Sequence, residues 1–250
     1  MLRLLFSLLI IQAPFSSSAQ LIVNIESSRI QSDTTGWKGD VGTSFSFTKN
    51  VQQILNINAS AHVQYKTQKD LYLLLANYSL LKGNNQQLTN NMFYHLRYNR
   101  KLNDVIRWEV FTHWQQNRVT NIDLRALFGT GPRFKVSGQN KFRLYIGVLA
   151  MYEHEKDKDP PVTFNDIRSD NYISATYKPN AVFDITTTTF YQPLFRKFSD
   201  YRILNQVSFN VKATKHLAIS TNWDFSYDSF PAIGAPLVNY VVSNGFYYTF

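Results

Sequence analysis

The charged residues that could act chemically in this chain recur at every second position. "RWEV" puts Arg107 and Glu109 on one parity, "IDLR" does the same for Asp123 and Arg125, and Arg97 and Arg143 stand in similar apolar alternations. A two-residue period places such side chains on one face of a β-strand. Lys38, Asp40, Lys66 and Asp224 fall on the same kind of face. Arginines and carboxylates gathered on an inner face can pair into an ionic network or line a narrow aqueous path that selects by charge. Arg97, Arg107, Arg125 and Arg143 are the expected selectivity residues, acting by attraction of anions.

Other chemistry finds less support in the residues. The histidines, His62, His95, His113, His154 and His216, sit singly, and neither a Gly-x-Ser-x-Gly stretch nor a His-x-Ser pair accompanies them. A lipid hydrolase needs a serine with a positioned base, so the chain is read as a non-enzyme. His62, His95 and His113 share the polar parity and are expected to hydrogen-bond in a lumen. "GTGPRF" lacks the Gly-Lys-Ser/Thr of a phosphate loop, and Gly129, Gly131 and Pro132 are expected to bulge or bend a strand. Glu153, Glu155, Asp157 and Asp159 lack the ligand order of a calcium loop, and Lys156 and Lys158 interleave them. That stretch is expected to be a solvated loop, with no metal and no cofactor.

The elements that must position these residues are strands. About twelve stretches alternate large apolar with polar residues, each near the roughly 9–11 residues of a tilted membrane-spanning strand. "LNINASAHVQYK" sets Leu55, Ile57, Ala59, Ala61, Val63 and Tyr65 against Asn56, Asn58, Ser60, His62, Gln64 and Lys66. "LAISTNWDFSY" sets Leu217, Ile219, Trp223, Phe225 and Tyr227 against Ser220, Asn222, Asp224 and Ser226. Helical spacing fits none of these as well. The mean hydropathy of −0.26 goes with no apolar run long enough for a membrane helix. Residues 1–19, with Arg3, an apolar run Leu4–Ile11 and Ser17 and Ala19 before Gln20, have the layout of a secretory signal peptide. Residues 20–35 are read as a periplasmic extension and 36–250 as one domain, outside the cytoplasm yet with 0 Cys.

The connections between strands alternate between short turns such as "KLND" and "KPN" and longer stretches such as "KGNNQQLTNN", "EHEKDKDPPVTFNDIR" and "QPLFRKFSD". An outer-membrane barrel has that asymmetry, an even strand number and a greasy outer face. The expected fold is all-β, a transmembrane antiparallel up-and-down β-barrel of about twelve strands. Its last strand should pair with its first, because unpaired backbone groups in lipid cost several kcal/mol each. A soluble β-sandwich would alternate too, without so many strands of spanning length.

"VNIESSRIQSDTTGWKGDVGTSFSFTKN", "FYHLRYNRKLNDVIRWEVFTHWQQN" and "IDLRALFGTGPRF" resemble the YdiY-like, salt-induced outer-membrane protein family, over nearly all of the chain after residue 19. The resemblance implies a Gram-negative outer-membrane location and transfers no catalytic residue. The closing aromatics Phe246, Tyr248 and Phe250 likewise resemble the signal read by the barrel assembly machinery. The net charge of +9 favours anionic partners, here lipopolysaccharide, and no nucleic-acid motif accompanies it. A monomer acting as a narrow pore for small polar or anionic solutes is the expected function. Two readings compete with it: a structural envelope barrel with a filled lumen, and a lipid-modifying enzyme.

Overall fold

The computed structural model describes residues 34–84, 86–118, 120–214 and 216–248. The expected signal peptide, nearly all of the expected extension and Phe250 lie outside the described residues.

Alternation yields strands throughout. They are β1 (Gly36–Lys49), β2 (Gln53–Lys66), β3 (Asp70–Gly83), β4 (Gln86–Lys101), β5 (Ile106–Asn117) and β6 (Ile122–Gly138). Then follow β7 (Phe142–Asp157), β8 (Thr163–Tyr177), β9 (Phe183–Leu194), β10 (Lys197–Lys212), β11 (Leu217–Asp228) and β12 (Val238–Tyr248). Each pairs antiparallel with its neighbour in sequence, giving one up-and-down sheet of 12 strands. The all-β, twelve-stranded expectation holds.

Two expectations about this sheet do not. Among the described residues no ladder joins β12 to β1, so the sheet is open at the seam where closure was expected. Around the middle of the seam the inner rows are short, with Gly42, Ser44 and Ser46 on β1 and Ser243 and Gly245 on β12, whereas Lys38 and Asp40 stand nearer the start of β1. The contrast between short and long connections also shrinks. Only Phe195 and Arg196 separate β9 from β10, and residues 158–162 separate β7 from β8. The polar stretches keep the two-residue period, so the ladders run on through them.

Large apolar side chains project from the outer face, including Trp37, Val41, Phe45, Leu96, Val148, Ile173, Trp223 and Phe246. Aromatic rings line up near both ends of the strands. Trp37, Tyr65, Tyr72 and Tyr98 form a row across β1–β4 with successive centroids 4.7, 6.3 and 5.0 Å apart. At the other end Tyr191, Tyr201 and Tyr227 lie 5.7 and 5.6 Å apart across β9–β11. Membrane barrels present a greasy band flanked by aromatic rows to lipid, and this outer face has that pattern.

Candidate functional site on the inner face

The inner face of β4 to β11 is packed in layers. Around its middle, Phe111, Leu127, Leu149, Met151, Tyr172, Phe190 and Leu204 form an apolar layer across β5–β10. Glycines make room for its rings. A Cβ on Gly129 would stand 2.3 Å from the Phe111 ring, and one on Gly147 would stand 2.1 Å from Tyr172. The ladder with β5 runs straight through Gly129, Gly131 and Pro132, and that with β7 keeps one register on either side of Gly131 and Pro132. The expected bulge there is replaced by a notch, because a ring from the facing strand occupies the space where a side chain would be.

On the side of the layer towards residues 229–237, an ionic network draws on five strands, β6, β7, β8, β10 and β11. Glu153 of β7 accepts from Arg125 Nε of β6 at 2.6 Å, Arg168 Nε of β8 at 2.8 Å and Arg202 Nη1 of β10 at 2.5 Å. Arg202 also reaches Glu155 at 3.2 Å and Asp228 of β11 at 2.8 Å. Arg168 reaches Asp200 at 2.9 Å. Buried charges cost several kcal/mol each to desolvate, and only full mutual pairing offsets that. Glu153 is 1% and Arg125 0% exposed, so the network is sealed from solvent.

On the other side lies a smaller cluster around Glu109, which is 0% exposed. Its carboxylate accepts from the Tyr172 hydroxyl at 2.6 Å and faces Arg133 at 3.3 Å and Arg97 at 3.6 Å. The Arg133 guanidinium stacks 4.0 Å from the centroid of Tyr145. Beyond, in the β4–β5 turn, Lys101 binds Asp104 at 2.6 Å, and that hydrogen bond holds the Asp104 carboxyl below its usual range.

The flanking strands carry a different lining. Ser208 donates to Asn222 at 2.7 Å, Asn210 to Asp184 at 3.0 Å and Gln206 to Asp224. Asn58 bridges to Asn56 at 3.1 Å and to Ser44 at 3.4 Å. Here hydroxyls and amides make up much of the inner row, beside the charged Lys38, Asp40, Asp184 and Asp224.

Of the residues expected from sequence, Arg97, Arg107, Glu109, Arg125 and Arg143 stand on the inner row. Arg125 and Arg97 are engaged with carboxylates. Asp123 leaves the row: a register shift between Ile122 and Leu124 turns Ile122 inward, and Asp123 pairs with Lys156 at 3.0 Å. Of the acidic stretch expected as a solvated loop, Glu153, Glu155 and Asp157 belong to the inner row of β7 and are buried, whereas Asp159 lies exposed in the connection to β8. Their alternation continues that of Leu149 and Met151, and this was the available signal. Arg133, Arg168, Arg202 and Asp228 were missed as well. His95 and His113 are buried, their ring centroids 5.9 Å apart, and His113 Nε2 lies 3.2 Å from Gln115 Oε1.

The family described as a protein of unknown function, DUF481, matches residues 30–250. The chain belongs to this family, that of the YdiY-like outer-membrane proteins. Among solved structures, the NanC porin in a rhombohedral crystal form is similar at 11% identity, over 85% of this chain and 100% of the porin chain, with a TM-score of 0.48. No curated protein matches the chain.

Proposed function

We propose that this protein is an outer-membrane β-barrel with a narrow, off-centre pore for small polar solutes. The observation that carries this reading is the division of the inner face. From β5 to β10 it is filled by an apolar layer and buried ion pairs. On β11, β12, β1 and β2 it carries many short polar side chains, such as Asn222, Ser243, Ser44 and Asn58, with Lys38, Asp40 and Asp224 among them. In this reading β12 pairs with β1 in the membrane, since lipid leaves no water for two free edges. The path then runs along the amide and hydroxyl side, against the packed half as its back wall. Twelve strands fall between about 8, which fill with side chains, and 16–18, which leave a wide channel.

The buried network favours a second reading, a filled barrel that stiffens the envelope and conducts nothing. Conductance of the refolded mature chain in a planar bilayer separates the two. Stable small steps, reduced when Asn58 is replaced by Trp and unchanged in Thr188→Val on the packed half, are expected of the pore. Silence from a protein shown to be folded and inserted rejects it in favour of the filled barrel.

A further inference from the structure

Arg107 of β5 and Arg133 of β6 are direct cross-strand partners. Cβ atoms of facing residues in an antiparallel pair lie about 4.5–5.5 Å apart, and like charges so placed destabilise the pair. Both guanidiniums also approach one ring, with Cζ 5.6 Å (Arg107) and 4.0 Å (Arg133) from the Tyr145 centroid. Arg133 has Glu109 at 3.3 Å. For Arg107 the outcome differs: its Nη1 is buried and has no hydrogen-bond partner among the described residues. The nearby carboxylates are taken. Glu109 already holds Arg97, Arg133 and Tyr172, and Asp104 holds Lys101, which faces Arg107 from β4.

The surroundings are basic as well. Arg97, Lys101, Arg107, Arg133, Lys135 and Arg143 share the inner row of β4–β7 at this end, where Glu109 is the inner carboxylate. A buried guanidinium N–H without an acceptor is costly, and a ring face offsets only part of that. In the opposite network three arginines share Glu153, Glu155 and Asp228.

We propose that Arg107, with Arg133 and Arg143 on the adjacent strands, binds an oxyanion group of the phosphate or carboxylate class at the end of the inner face bounded by the β4–β5 and β6–β7 turns. Planar guanidiniums present paired N–H donors that match two oxygens of such a group, and Tyr145 forms its apolar floor. The group would supply the acceptor that Arg107 lacks and neutralise the Arg107–Arg133 repulsion. The inference deepens the pore reading by giving one mouth a preference for anions, and it requires only that this end be open to water. The oxyanion could belong to a free solute or to a lipid headgroup.

The test is thermal unfolding of the refolded mature chain in uncharged detergent micelles, titrated at constant ionic strength with inorganic phosphate in place of chloride. A second titration adds phosphatidylglycerol to the micelles. A saturable rise in Tm with phosphate is expected, weakened at least tenfold in apparent Kd by Arg107→Gln. In chloride that variant should unfold no lower than the parent, because it removes a like-charge contact. A rise seen only with phosphatidylglycerol and lost in Arg107→Gln assigns the same site to a lipid phosphate. The proposal is overturned if neither titration shows a response sensitive to Arg107→Gln, or if the variant unfolds several degrees lower in chloride. Arg143→Gln, nearer the strand end, should weaken the response too, and an unaltered response would remove Arg143 from the site. Since unfolding is read without conductance, a bound anion in a silent barrel would reject the pore while keeping the site.

Discussion

The two halves of the inner face solve one problem in opposite ways. Both present polar groups to a concave surface, and from β5 to β10 those groups are long, charged and mutually saturated. Arg202 alone bridges Glu153, Glu155 and Asp228 on two other strands. On β11, β12, β1 and β2 many of them are short hydroxyls and amides, such as Asn222, Ser243, Ser44 and Asn58, and a bond such as that from Ser208 to Asn222 reaches only the neighbouring strand. Long paired side chains pull non-adjacent strands together, and short ones leave the wall thin. The seam between β12 and β1 opens in the thin half.

The largest effect that separates the halves should come from Glu153→Gln. It removes the charge that Arg125, Arg168 and Arg202 share, all buried. Breaking such a buried network costs about 3–5 kcal/mol, read as a fall in the urea midpoint of the folded chain in detergent. Asn222→Ala, in the thin half, should cost only about 0.5–1.5 kcal/mol for its single bond to Ser208. Equal losses would mean that the two halves are stabilised alike.

Gly147→Ala should come next. The new methyl would stand 2.1 Å from the Tyr172 ring, whose hydroxyl holds Glu109 at 2.6 Å. Overpacking of this kind costs about 1–3 kcal/mol and should loosen the Glu109 cluster with it. By contrast, Gly42→Ala in β1 meets only Ser60 Oγ at 3.3 Å. Its urea midpoint should stay within about 0.5 kcal/mol of the parent, as for most surface substitutions.

Much of this contrast could be read before any coordinates, and the failures are instructive. Strand identity and the inward placement of Arg97, Arg107, Glu109 and Arg125 follow from a period of two, which survives everywhere except at bulges. Asp123 failed because one register shift beside Ile122 reverses parity, and nothing in "NIDLR" marks it. The run from Glu153 to Asp157 was legible but was classed by its charge; classed by parity it extends β7. The glycine notches lay beyond reach, since they depend on Phe111 lying across Gly129, a fact of pairing between strands. Seam closure was expected from the demands of lipid on unpaired strand edges, and not from any side-chain signal in β1 or β12.

The smallest energetic effect carries the sharpest test of the thin half. Because the chain has 0 Cys, a cysteine at Ser44 on β1 can be combined with a second at Val241, Ser243 or Gly245 on β12. Each replacement should shift stability by less than about 0.5 kcal/mol, so the fold is not the variable. A disulfide needs Cα atoms about 4.4–6.8 Å apart, a spacing that paired strands offer and an open seam does not. If β1 and β12 meet in the membrane, one of the three pairs, set by the register, should cross-link in lipid vesicles and change gel mobility on reduction. Failure of all three would leave the seam open in lipid. The thin half would then be a gap in the wall, and the pore reading would lose the surface that forms its path.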